Sequence, residues 1–198
     1  VSFKYDDEAY GCIAILQNEY GQWKLVNTMK KSLHMVDMIS FVDFDGTGDV
    51  KVIVSWLNNG SRKSSISVYD SRGILLSEIS NNDGSASNGD GTNIFKNFTL
   101  CDINNDGKVE VIVFLSSPAK DKNMVRAYNF NGNFIPLSEC ELQDEYVKYF
   151  AITIGKIDSN HTGIFLDGDY YDSNEYFCTD AIYWDNGKLV HVSKNFFV

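Results

Sequence analysis

Apolar residues along this chain come in short runs broken by turn-forming clusters. Two runs are nearly solid, VKVIVSWL at 50–57 and VEVIVFL at 109–115. β-Branched runs of this length, without polar alternation, predict strands buried on both faces. Others, such as SSISVYD at 64–70 and MVRAYNF at 124–130, read as further strands of the same units. Between them lie NNG, SRG, NGN and DNG, which are turn signals. In WKLVNTMK at 23–30, strict alternation puts Trp23, Leu25 and Asn27 on one face. No segment keeps a 3.6-residue apolar period over a helix length. Residues 138–148 come closest and are held open as a short helix.

The pattern repeats. DFDGTGDVKVIV at 43–54 superimposes on DINNDGKVEVIV at 102–113, and a fainter copy, DSNHTGIFL, starts at 158. From 43 to 102 is 59 residues, and from 102 to 158 is 56. Each copy is a strand, an oxygen-rich loop, an apolar strand and two more strands joined by tight turns. A period of this size signals a repeat architecture, and four-stranded units stacked face to face describe propeller blades. The expected fold is an all-β, propeller-type array of four-stranded antiparallel blades within one domain, 1–198. A partial blade covers 1–31, and full blades cover about 32–80, 94–142 and 146–198. The array is open to being a piece of a larger propeller. Residues 81–93, NNDGSASNGDGTN, read as a solvated loop carrying Asp83 and Asp90.

The 102–110 loop has the donors a hard cation wants. Asp102, Asn104 and Asp106 alternate, Gly107 allows a sharp turn that brings the Lys108 carbonyl inward, and Glu110 closes the set. Calcium takes six to eight oxygens of this kind. An EF-hand is excluded, because its twelfth position requires glutamate and here holds Val113, inside a strand. The first loop offers a weaker set, Asp43, Asp45, Thr47 and Asp49, with Lys51 where the second loop has Glu110. An ammonium there can take the cation's place. The third loop keeps Asp158 and Asn160 and reads as a structural turn.

The frame D-x-[D/N]-x-D-G-x-x-E followed by an apolar strand resembles the FG-GAP/VCBS-type repeat of integrin-like β-propellers, over roughly residues 32–198. The phrases GQWKLV at 21–26 and YWDNGKLV at 183–190 are also similar to those of propeller-like lipoproteins of Gram-positive bacteria. The resemblance implies one Ca²⁺ on Asp102, Asn104, Asp106, Lys108 and Glu110. It also implies an extracellular or cell-surface location, through a signal or lipid anchor removed ahead of Val1.

Composition narrows the function. The 198 residues are 43% hydrophobic and carry a net charge of −10. That suffices for a core and argues against nucleic acid, whose binders are basic. No apolar run reaches the ~20 residues of a membrane helix. Cys12, Cys101, Cys140 and Cys178 form no CxxC pair and read as buried free thiols. His34 and His161 read as exposed loop residues, and His191 as lying on a solvated strand face. No nucleophile, P-loop or zinc-protease frame occurs. The leading expectation is therefore a non-enzymatic, calcium-stabilised module that binds protein or glycan, with blade edges open to self-association. The alternative is a carbohydrate-active enzyme or lectin-like binder, using the carboxylates Asp167, Asp169, Asp172 and Glu175 and the tyrosines Tyr170 and Tyr171.

Overall fold

The computed structural model describes residues 2–5, 8–58, 64–80, 94–117, 122–142, 147–170 and 177–194. Among them there are fifteen strands and no helix, in four antiparallel sheets. The loop expected at 81–93 lies outside the described residues. The chain divides into two compact units, Val1–Asp83 and Gly84–Val198.

The first unit opens with a three-stranded sheet, β1 (Ser2–Tyr5), β2 (Glu8–Glu19) and β3 (Gln22–Ser32), in that order. A four-stranded sheet comes next: β4 (His34–Val42), β5 (Lys51–Asn58), β6 (Ser64–Tyr69) and β7 (Leu75–Ser80), again in chain order. The apolar run of β5 is buried at every position from Val52 to Trp56. Val52, Val54 and Trp56 pack with Tyr69 against Met29, Ile13 and Ile15 of the first sheet. Burying each such aliphatic side chain contributes roughly 1.5–3 kcal/mol. β6 is also wholly buried, serines included. Its polar atoms are matched: Lys31 Nζ reaches Ser65 Oγ (2.6 Å) and Glu78 (2.5 Å), and Ser67 Oγ donates to Glu78 (2.5 Å).

The second unit holds two four-stranded sheets. One contains β8 (Ile94–Cys101), β9 (Glu110–Ser117), β10 (Lys122–Phe130) and β11 (Phe134–Leu142). The other contains β12 (Val147–Lys156), β13 (Thr162–Tyr170), β14 (Phe177–Asp185) and β15 (Lys188–Lys194). Both run in chain order. Ile103, Ile112, Phe114, Val125, Ala127 and Leu142 from the first meet Ile164, Leu166, Ile182 and Leu189 from the second in one core.

Every four-stranded sheet has a one-residue irregularity in its first strand, at Asp37, Lys96 and Phe150. Asp37 stands six residues before Asp43 and Lys96 six before Asp102, so the repeat extends to the bulge. A bulge bends a strand and re-aims the chain beyond it, here the oxygen-rich loop.

Two expectations are corrected. The short helix held open at 138–148 is not formed by its described residues. Residues 138–142 belong to β11 and residues 147–148 to β12, while 143–146 lie outside the described residues. In β3, Asn27 does not share the face of Trp23 and Leu25. Leu25 pairs with Leu16 but Asn27 with Ile15, so Val26 is an extra residue that breaks the alternation. Asn27 turns toward the β6–β7 connection and donates to the Arg72 carbonyl (2.6 Å). Pro136 sits in β11, an edge strand, beside a ladder irregularity, the kind of place where a residue without an N–H is tolerated.

Candidate metal centre

The loop between β8 and β9 is short because its backbone bonds to its own side chains. Asp102 accepts the N–H of Asp106 on one oxygen (3.0 Å) and that of Gly107 on the other (2.9 Å). Asn104 Oδ1 also accepts the Asp106 N–H (2.9 Å), and Asp106 Oδ1 accepts that of Lys108 (2.9 Å). Such Asx turns replace a ladder where the chain must reverse. Two residues take left-handed backbone angles, Asn105 (φ 58°) and Gly107 (φ 84°). Asparagine and glycine tolerate that region best.

Glu110 opens β9 and has no exposed surface. Its carboxylate accepts the Ile103 N–H (3.0 Å) and an Asn104 amide hydrogen (3.2 Å). Among the described residues no lysine, arginine or histidine pairs with it. Burial, with smaller contributions from Asp106 and Asp102, pushes its carboxyl up to about 7. Burial likewise pushes the thiol of Cys101, its neighbour across the β8–β9 ladder, up to about 12, with Glu110 and Asp102 adding to the effect.

The donor chemistry suits a hard cation. All the side-chain donors are oxygens, and each carboxylate oxygen that accepts one N–H keeps a lone pair. The loop as it stands is closed by hydrogen bonds instead. Among the described residues no three His, Cys, Asp or Glu side chains gather closely enough to hold a metal ion.

The first loop repeats the backbone bonds to the first two side chains of the second. Asp43 accepts the N–H of Thr47 (3.2 Å) and Gly48 (2.7 Å), and Asp45 accepts the Thr47 hydroxyl (2.7 Å). Gly46 (φ 71°) and Gly48 (φ 87°) stand where Asn105 and Gly107 do. The Thr47 hydroxyl holds the Asp45 carboxyl below the usual range. Lys51, in the place of Glu110, ion-pairs with Asp49. Its ammonium is thus engaged by Asp49, and this loop lacks the buried anion that distinguishes the other.

In the third loop Asp158 accepts the N–H of Asn160 (2.7 Å) and of His161 (2.8 Å). It also holds the His161 ring (2.7 Å), which lowers the Asp158 carboxyl, and that ring stands edge-on to Tyr183. His161 is therefore a locked turn residue, not a free surface one. Of the acidic–aromatic stretch, Asp167 is half-buried in β13, and Asp169 and Tyr170 end that strand. Tyr171, Asp172 and Glu175 lie outside the described residues. Cys12, Cys101 and Cys140 are free and half-buried.

The expectation for His191 is overturned. Its side chain is only 11% exposed, and Nε2 lies 2.9 Å from Asp180 Oδ1, whose side chain is 3% exposed. The pair sits on the inner face of β14–β15, beside Ile182. Alternation with Val190 and Val192 pointed to the solvent because Val192 is an extra residue in the β14–β15 ladder, so that strand does not alternate strictly. The available signal was Asp180 itself, a charge beside the apolar AIYW run and near the histidine across a DNG hairpin.

No family model and no curated protein matches the chain. Among solved structures it is similar to the GH43 β-1,3-galactosidase BT0265, with a TM-score of 0.53 at 11% identity. The match covers 96% of this chain and 44% of that one, so the chain spans less than half the length of that enzyme. At such identity the likeness concerns the fold, and with the sheets above it defines an all-β, propeller-like class. Fold alone assigns no activity.

Proposed function

We propose that this chain is a non-enzymatic β-propeller repeat module of the FG-GAP/VCBS type, stabilised by one calcium ion and working outside the cytoplasm in protein or glycan binding. The observation that carries the reading is Glu110: a glutamate with no exposed surface, beside Asp102 and Asp106, and without a basic partner among the described residues. Asp102, Asn104, Asp106, Glu110 and the Lys108 carbonyl would hold the ion. When bound, it supplies the positive charge that offsets the crowded carboxylates. Asp102 and Asn104 already fold the backbone into a tight loop, and the carboxylates would draw together around the ion as it binds. Extracellular calcium modules work at about 10⁻⁴–10⁻³ M, the range in which this loop would be filled outside the cytoplasm.

The test is the Asp106→Ala variant, melted with calcium and with chelator. The variant is expected to lose most of the stability the intact chain gains from calcium, and to change little in chelator. Equal losses in both conditions would remove calcium from the account.

A second reading is favoured by one observation, the GH43 glycosidase among similar folds. In it, the Asp167–Glu175 stretch acts on or binds carbohydrate. A glycan array and glycosidase panel, repeated with Asp169→Ala, separates the two. Binding or turnover that is lost in the variant favours the second reading.

A further inference from the structure

We propose that the first, three-stranded sheet exchanges between two copies of this chain, opening at Leu33 so that β1–β3 of each copy seats on β4–β7 of the other. Neither calcium nor a glycan is involved. β3 ends at Ser32 and β4 begins at His34, so Leu33 alone joins the two sheets. The β7–β8 and β11–β12 connections run longer, over 81–93 and 143–146. Leu33 takes a left-handed backbone angle, φ 58°. A bulky side chain is strained there. The other described non-glycine residues with positive φ are Tyr20, Asn105 and Asn186. Each lies in a tight turn with a left-handed glycine, Gly21, Gly107 or Gly187. Leu33 has no such glycine, and its side chain is 54% exposed, so its own packing does little to hold the angle.

What holds the joint is the contact between the two sheets it links. Ile13, Ile15 and Met29 lie against Val52, Val54, Trp56 and Tyr69. Asn27 donates to the Arg72 carbonyl, and Lys31 Nζ reaches Ser65 Oγ and Glu78. Close to the joint the fit is tight. A Cβ on Gly11 would stand 2.7 Å from the His34 carbonyl oxygen and 2.7 Å from the Trp56 ring. Each of these contacts lies within the first unit and has one member before Leu33 and the other after it.

That division singles out a second copy. The surface β2 and β3 already fit, with Glu78, Ser65, the Arg72 carbonyl and the Val54–Trp56 pair in place, is one that another β4–β7 sheet repeats. An extended angle at residue 33 lets β3 run on into β4 and carries the sheet to the neighbour. The reciprocal exchange closes a two-fold dimer. Such a dimer remakes every contact between the sheets and drops the strained angle. Against it stands the entropy of joining two chains, which falls as concentration rises. Short joints under strain favour this kind of exchange.

The test refolds the intact chain from urea at high concentration and separates monomer from dimer by size-exclusion chromatography. A dimer that persists after dilution is expected, since reversal requires both sheets to come off. Leu33→Gly takes the left-handed angle freely and should lower the dimer-to-monomer ratio at least about fivefold, the low end of what a strained residue contributes. Leu33→Val suits a strand and resists that angle, so it should raise the ratio. Lys31→Glu and Glu78→Lys each set like charges face to face, in the monomer and in a dimer of that variant alone. Refolded together, the two variants restore both charge pairs, but only in a swapped dimer containing one chain of each. Native mass spectrometry of the mixture should show that mixed dimer in excess over both homodimers. A variant that fails to fold alone should fold in the mixture. An intact chain that refolds only to monomer, a ratio indifferent to residue 33, or a mixture without excess mixed dimer would overturn the proposal.

Discussion

A glutamate with no exposed surface, next to two other carboxylates, makes the loop sensitive to pH. Burial raises Glu110 from an ordinary value of 4.5 to about 7. A carboxyl whose value is raised in the fold is held more tightly as the neutral acid. Its favourable contribution is therefore complete below about 4.5 and is lost as pH rises through 7. That difference corresponds to on the order of 3 kcal/mol. In chelator, stability measured by urea melts is expected to fall between pH 5 and pH 8. Glu110→Gln, which keeps the shape without the charge, should flatten that slope and also abolish any gain from calcium. A slope identical in the variant would assign the pH dependence to other groups.

At the scale of elements, periodicity sets how much of the fold is legible in the sequence. The VKVIV and VEVIV runs and the Asn-Gly turns point to the strands because burial on both faces leaves an unbroken apolar signature. The loops are legible in outline, since Asp43 and Asp102 stand in one frame and bond alike. The bulges are not. One inserted residue leaves composition unchanged yet reverses every side chain beyond it, which is why simple alternation puts Asn27 and His191 on the wrong faces. The deep burial of Glu110 is also hidden, since the strand it opens belongs to a core assembled from distant residues. The Asp180–His191 pair yields a prediction at this scale. Asp180→Ala removes one member of a buried pair and leaves the imidazole without its carboxylate. A loss of about 2–4 kcal/mol is expected by denaturant unfolding. A change within about 0.5 kcal/mol, as at an ordinary surface site, would mean that the pair holds nothing together.

The whole molecule is an acidic all-β chain of repeated four-stranded sheets, with one loop whose donors suit a hard cation. Sheets of this kind stack through apolar faces. Stability is then shared among neighbouring repeats, and an ion at one loop acts on the sheet whose first two strands it joins. The β8–β9 connection is such a loop, and β9 is an inner strand that gives Ile112 and Phe114 to the second unit's core. The most direct measurement is a thermal melt of the intact chain in millimolar calcium and in chelator at pH 8, where Glu110 is charged. A calcium-held loop predicts a melting temperature several degrees higher in calcium, lost on adding excess chelator. Superimposable melts would contradict it, and the 102–110 loop would then be a hairpin held by its own hydrogen bonds.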